Sequence, residues 1–258
     1  MQLYTSPNIF ATLGDLTHVI TIVSLLGYIW KARSSAGIST RTQLLFLLVF
    51  LTRYVDLFCE FHSLYNTCFK VTYIVVTLAT ILSIDKFQDV ERQLHDSCRF
   101  GILIIGATVI AVFVHYNLTI QEVLWAFSEY LEAVAIIPQL FLISKAGGSE
   151  KIMVYYIYGL AQYRILYIMS WVDIYLDDGP LDLVSIVPGS IQALIYIDYF
   201  FAMFSSLFNF KYQKCNMEDM SIKPVYIITS KELLPFKNPE KPGPMENENF
   251  TITDKLSQ

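Results

Sequence analysis

Long apolar stretches, separated by short polar segments, dominate the first 210 residues. They fall near 16–30, 41–59, 68–84, 100–115, 122–144, 153–172 and 183–207. A helix rises 1.5 Å per residue, so crossing about 30 Å of hydrocarbon takes ~20 predominantly apolar residues. Several stretches contain a polar residue, which makes their regular spacing a stronger signal than any one of them. The pattern predicts an all-α membrane protein of seven transmembrane helices, with a membrane domain over 1–211. Residues 212–258 carry five of the nine prolines, six lysines and seven acids, with little apolar periodicity. Such a segment buries too little to offset its chain entropy, and a disordered cytosolic tail is expected there.

Basic residues in short loops orient a membrane protein. One set of loops holds Lys31, Arg33, Arg41, Lys86, Arg92, Arg99, Lys145, Lys151, Lys211 and Lys214, and the opposite set holds only Lys70. The loop after the sixth stretch carries Asp173, Asp177, Asp178 and Asp182 and no base. A lumenal N-terminus and a cytosolic C-terminus satisfy this asymmetry. Residues 1–15 lack a basic region followed by an apolar core, so the first span is expected to serve as its own insertion signal.

Composition narrows the function. Hydrophobic residues make up 54% of the 258 and charged residues 16%, against about 25% in a soluble domain. The net charge of −5 implies no basic surface for nucleic acid. Cys59, Cys68, Cys98 and Cys215 show no metal-site spacing. Cys59 and Cys68 are placed either to bridge on the lumenal side or to remain buried thiols, and Cys98 and Cys215 are juxtamembrane candidates for palmitoylation. No nucleophile–base pair appears, so an enzyme is not expected, and neither is a cofactor.

A charged side chain at the bilayer centre costs ~2.5–3.5 kcal/mol on the insertion scale. This chain places Arg53 and Asp56 in the second stretch, Glu129 and Glu132 in the fifth, Arg164 in the sixth and Asp198 in the seventh, with His18 and Glu122 near lumenal ends. Each must pair, line water or change protonation. Arg53 and Asp56, three apart, share a helix face and are able to neutralise each other. Arg164 is expected to bridge to Asp198 or Glu132 as a structural pin. Arg53, Asp56 and Glu122 lie toward the lumenal half and are read as functional. His18 is either a satisfied buried residue or a sensor, since a histidine near its reference pKa of about 6.5 titrates within secretory-pathway pH. Trp125 and Trp171 suit either the interfacial belt or a ligand pocket.

An internal repeat is also present: Arg53 follows Gly37 by 16 residues, and Arg164 follows Gly148 by the same interval. This fits two three-helix units joined by a fourth span, SWEET-like with parallel repeats. The Pro138-Gln139 pair near the end of the fifth stretch is the mark of PQ-loop-like members of that class.

Several blocks, in order, resemble the KDEL receptor family, the ER lumen protein-retaining receptors. They include Gly14-Asp15-Leu16-Thr17-His18, Thr52-Arg53-Tyr54-Val55-Asp56, Glu122-Val123-Leu124-Trp125, Tyr130-Leu131-Glu132, Pro138-Gln139-Leu140-Phe141, Tyr163-Arg164 and Asp198-Tyr199-Phe200. The resemblance covers about residues 8–205. It implies a receptor that binds C-terminal peptide signals of ER-resident lumenal proteins in the acidic Golgi, returns them to the ER, and meets vesicle coat proteins at its cytosolic face. On this resemblance Arg53 and Tyr54 hold the peptide's terminal carboxylate. Asp56 and Glu122, with Trp125, receive its basic first residue, and Trp171 is a further ligand-binding residue. His18, Glu132, Tyr163, Tyr167 and Asp198 form the pH-sensing network. Asp182 matches a lumenal acid of the family.

Three departures stand out. Ala11 and Ile174 occupy positions where the family carries arginines for the acidic middle residues of the signal, and Ser170 replaces an asparagine. The cytosolic end departs as well: the family's lysine-rich end is reduced to Lys211 and Lys214 before a longer extension. Altered signal specificity is the expected consequence. The rival readings are a small-solute transporter on a SWEET-like scaffold and a trafficking adaptor that has lost ligand binding.

Overall fold

The computed structural model describes residues 8–58, 64–87, 99–146 and 151–219, and every regular element among them is helical. In chain order these are α1 (Ile9–Ala32), α2 (Thr40–Arg53), a one-turn 3-10 helix (Val55–Phe58), α3 (Leu64–Phe87), α4 (Phe100–Phe113), α5 (Ile120–Val134), α6 (Ile137–Ala146), α7 (Lys151–Leu176) and α8 (Leu183–Asp219). Each apolar stretch of the sequence holds a helix, and the fifth holds two. By length and composition, Ile9–Ala32, Thr67–Phe87, Ile120–Ala146 and Leu183–Ser206 are long and apolar enough to cross a membrane. α2 and α4 have 14 residues each, or about 21 Å of helix, short of the hydrocarbon thickness. α7 has the length, with 26 residues, but Gln162 and Arg164 interrupt its apolar run.

Local chemistry explains the boundaries. Asn8, Ser39 and Thr119 each accept a hydrogen bond from a backbone N–H in the first turn of α1, α2 and α5. Asp182 caps α8 by accepting from the N–H groups of Val184 and Ser185, at 3.1 and 3.3 Å. The α5–α6 break falls at Ala135 and Ile136, just before Pro138, whose ring has no N–H to give and collides with the carbonyl one turn back. Gly37, with φ of 74°, turns the chain between α1 and α2 in a conformation that favours glycine. Gln139 locks that turn: its Oε1 accepts from Ser39 N at 2.8 Å and its Nε2 donates to Gly37 O at 2.7 Å. The Pro138-Gln139 pair thus breaks one helix and pins the loop between two others.

Packing follows a regular scheme. α3 lies on both α1 and α2, and α8 lies on both α5 and α7. Across these groups α1 packs on α7 and α2 on α5, while α4 sits against α5. The shared core includes Leu25, Ile29, Leu45, Val49, Phe50, Leu131, Ile136, Ile157 and Leu160. The α1–α7 seam is tight. A Cβ on Gly159 would stand 2.3 Å from Thr21 Oγ1, and one on Gly14 would stand 3.2 Å from the Tyr167 ring. The outward faces are apolar, with Val75, Leu78 and Leu82 on α3, Ile102, Ile105 and Val109 on α4, and Leu194, Ile197 and Phe201 on α8 all exposed. Apolar surface of that extent suits lipid and not water.

Two features differ from the sequence pattern. α2 ends at Arg53, with Tyr54 as its C-cap, so Asp56 lies in the 3-10 turn and not one turn further along the same helix. Bulky Tyr54, at φ −104° and ψ 29°, leaves the helical region there. α8 runs on to Asp219, into the stretch whose composition suggests a tail. Residues 220–258, Cys59, Cys98, Gly148 and the side chains of Asp56, Lys211, Lys214 and Cys215 lie outside the described residues. Cys68 is an exposed free thiol.

Candidate functional site

The polar residues buried inside the bundle converge on one cluster. Arg53, at the end of α2, reaches α5 with all three nitrogens. Its Nε donates to Ser128 Oγ at 3.1 Å, one terminal nitrogen stands 2.6 Å from Glu132 Oε2, and the other 3.0 Å from Glu129 Oε1. Arg164 of α7 meets the same carboxylate from the other side, 3.0 Å from Glu132 Oε1. Tyr163 donates its hydroxyl to Glu132 Oε1 at 2.7 Å. Gln192 of α8 then donates through Nε2 to both Tyr163, at 3.1 Å, and Tyr196, at 2.9 Å. The four side chains Arg53, Glu129, Glu132 and Arg164 balance in charge, which is the condition for burying ions at tolerable cost. The exposures are graded. Glu132 and Arg164 retain 2% and 5% of their side-chain surface, whereas Arg53 and Glu129 retain 17% and 10%.

Aromatic rings enclose this cluster on the α1 and α3 side. His18 is buried and stacks on Tyr163, with centroids 4.0 Å apart and planes within 4°. Tyr73 and Phe50 tilt against the same imidazole at 5.0 and 5.8 Å. Among the described residues, His18 Nε2 has no hydrogen-bond partner. Tyr54 stacks on Phe50 at 6.1 Å, and the Lys70 ammonium stands 5.6 Å over the Tyr54 ring. Tyr167 donates to Asp15 Oδ1 at 2.5 Å, and Tyr73 donates to the Asp15 carbonyl at 3.0 Å.

α5 carries the line that leads inward. Glu122, Trp125, Glu129 and Glu132 are spaced by three, four and three residues, which puts them on one helix face. Burial deepens along it, from half-buried Glu122 and Trp125 to buried Glu129 and Glu132. At the same end of the bundle, Asn8 Nδ2 donates to Asp173 Oδ2 at 2.7 Å and joins the start of α1 to the end of α7. Tyr116 donates to Asp182 Oδ1 at 2.9 Å, and partial burial together with that carboxylate raises the phenol above its ordinary value. Ala11 lies on α1 between Asn8 and Gly14, both of which touch α7, and Ile174 follows Asp173, the partner of Asn8, near the end of α7.

The structure therefore gathers Arg53, Glu132, Tyr163, Arg164, His18 and, through its ring edge on Tyr163 at 6.1 Å, Tyr167. Arg164 takes Glu132, of the two acids expected for it. Asp198 stands on the exposed side of α8, apart from this cluster. Trp171 packs on the backbone of α8, where a Cβ on Gly189 would fall 2.4 Å from its Cη2. Ser128, Asp15 and Gln192 belong to the network, but the sequence pattern assigns none of them a role, although Asp15 lies in one of the family-like blocks. Gln192 carried a signal, an amide within an apolar run, and Asp15 sat one residue before the first apolar stretch.

Comparison with known proteins is consistent over most of the chain. The sequence pattern of the ER lumen protein retaining receptor family matches residues 34–173. The ER lumen protein-retaining receptor of Drosophila melanogaster is 44% identical over 195 residues, covering 75% of this chain and 92% of the relative. The ER lumen protein-retaining receptor 2 of Homo sapiens is 46% identical over the same length, with the same two coverages.

Proposed function

The chain belongs to the ER lumen protein-retaining receptor family, and on that premise we propose that it binds C-terminal peptide signals of ER-resident proteins in the acidic Golgi and returns them to the ER. It is a multi-pass membrane receptor of the ER–Golgi system. The observation that carries the ligand reading is the position of Arg53 at the inner end of a graded acidic and aromatic face. Glu122 and Glu129 are seven residues apart on α5, about 10 Å along the axis. An extended tetrapeptide spans about 10 Å from its first to its last Cα at ~3.3–3.6 Å per residue. A signal lying along this face puts its basic first residue at Glu122 and Trp125 and its terminal carboxylate at Arg53. The guanidinium fork matches two carboxylate oxygens, and the tryptophan face suits a cation.

The seven-span topology with a lumenal N-terminus is part of the same proposal. Exchanging α1 with α5–α6, α2 with α7 and α3 with α8 maps the contacts among these helices onto one another, while α4 packs on α5 without a matching contact to α1 among the described residues; this supports the reading of two three-helix units joined by α4. Basic side chains gather over aromatic rings at one end: Arg33 and Lys86 on Phe87, Arg41 on Phe100, and Lys145 on Phe141. That end suits the cytosol and vesicle coat proteins, and the opposite acidic end with Asp173 and Asp182 suits the lumen. His18, stacked on the tyrosine that holds Glu132, supports a role as the proton-sensing residue, since its protonation adds positive charge beside a site for an anionic terminus.

The test is binding of C-terminal peptides to the purified full chain, each peptide made as the free acid and as the amide. Amidation should weaken binding by at least tenfold, because a neutral amide offers the guanidinium one weak acceptor where the free acid offers two charged oxygens. Equal affinity for acid and amide removes Arg53 from the role.

A further inference from the structure

Each nitrogen of Arg53 faces a partner in this structure: Nε donates to Ser128, and the two terminal nitrogens stand at ion-pair distance from Glu132 and Glu129, the one beside Glu129 making no hydrogen bond among the described residues. These partners are not equivalent. Glu132 is held three ways, by Arg53, Arg164 and Tyr163, and is almost without solvent exposure. Ser128 is tied back to its own helix through the Trp125 carbonyl at 2.6 Å. Glu129 is described with one ion-pair partner, Arg53, and keeps 10% of its side chain exposed on the edge where Arg53 keeps 17%. The charges also matter. With both carboxylates ionised, the two arginines are already cancelled. An incoming carboxylate would leave the buried cluster with an excess negative charge, which a low-dielectric site penalises strongly.

We propose that Glu129 is a built-in occupant of the ligand-carboxylate position on Arg53, a specificity-determining residue that a signal's C-terminus must displace in order to bind. The inference rests on the reading that Arg53 receives that terminus. Glu129 acts as a competing anion at very high effective concentration, because α5 carries it within 3.0 Å of the guanidinium. It raises the threshold for binding, and it favours ligands that bring positive charge elsewhere to offset the displaced carboxylate.

The test uses the purified full chain in lipid nanodiscs, as wild type and as Glu129→Gln. The probes are fluorescent peptides ending in Lys-Asp-Glu-Leu and Lys-Ala-Ala-Leu, each as free acid and as amide. Glutamine keeps the shape and removes the charge, so the variant should bind the free acids at least tenfold more tightly while its affinity for the amides stays unchanged. Glu129→Leu, which also removes the hydrogen-bonding group, carries the same expectation and covers a folding defect peculiar to the amide. Wild type that prefers acid to amide, with both variants binding like wild type, overturns the role of Glu129 and leaves the reading of Arg53 intact. An equal gain for acids and amides overturns it too, since that reports a wider pocket and not a lifted charge competition. Failure of all three proteins to bind any probe overturns the inference together with the reading on which it rests.

Discussion

Glu132→Gln removes the one charge shared by both buried arginines. In the structure Glu132 pairs with Arg53 at 2.6 Å and Arg164 at 3.0 Å, and it accepts the Tyr163 hydroxyl at 2.7 Å, with 2% of its side chain exposed. Neutralising it leaves two guanidinium groups facing a single carboxylate, Glu129. Breaking a buried pair by removing one partner costs ~3–5 kcal/mol, a large fraction of a total stability of ~5–15 kcal/mol. The assay is thermal and denaturant unfolding of the purified protein in detergent, with monodispersity as a second readout. Glu132→Gln should fall ~3–5 kcal/mol below wild type. Arg164→Gln made together with it should lose less than the sum of the single losses, by ~0.5–3 kcal/mol, because the second substitution removes the orphaned cation. Asp198→Asn serves as the contrast: on the exposed side of α8, it should stay within ~0.5 kcal/mol of wild type. A Glu132→Gln protein within ~1 kcal/mol of wild type, or strict additivity in the pair, would refute the account of a shared buried counter-ion.

Other outcomes follow from the same geometry. Gly159→Ala should destabilise by ~1–3 kcal/mol as its new Cβ meets Thr21, and Thr21→Ala should recover part of the loss in unfolding experiments; a neutral Gly159→Ala would mean the α1–α7 seam opens freely. Gln139→Ala strands Ser39 N and Gly37 O, each at ~1–3 kcal/mol, so the midpoint of denaturation should drop markedly, and an unchanged midpoint would show that water replaces the amide. Peptide binding should tighten toward acid, and His18→Ala should flatten that slope between about pH 5.5 and 7.5; a variant with the full wild-type slope assigns the sensor elsewhere. Peptides with a basic first residue and neutral middle residues should outbind Lys-Asp-Glu-Leu, and Ala11→Arg with Ile174→Arg should reverse the order. Wild type that prefers the acidic signal would show that other groups have replaced the missing arginines.

The helices were legible in the amino-acid order because helix formation is local. Apolar runs, the cap residues Asn8, Ser39 and Thr119, and Pro138 each act within a turn or two of themselves, so the positions of the described helices follow closely from them, apart from the early end of α2 and the extension of α8. The cost of intramembrane charge likewise singled out Arg53, Glu132 and Arg164, because a buried ion demands a partner wherever that partner lies. Which partner it takes is a different kind of fact. Spacing along the chain offered Asp56, whose side chain lies outside the described residues, to Arg53 and either Asp198 or Glu132 to Arg164. The structure brings Glu129, Glu132 and Ser128 to Arg53 across the α2–α5 interface, turns Asp198 outward, and recruits Gln192 from α8 to hold Tyr163. Those choices depend on how far one helix is rotated and shifted against its neighbour, and a few ångströms exchange one carboxylate for another. Close contacts such as Gly159 on Thr21 set that shift, and they join residues more than a hundred positions apart, beyond the reach of any local pattern.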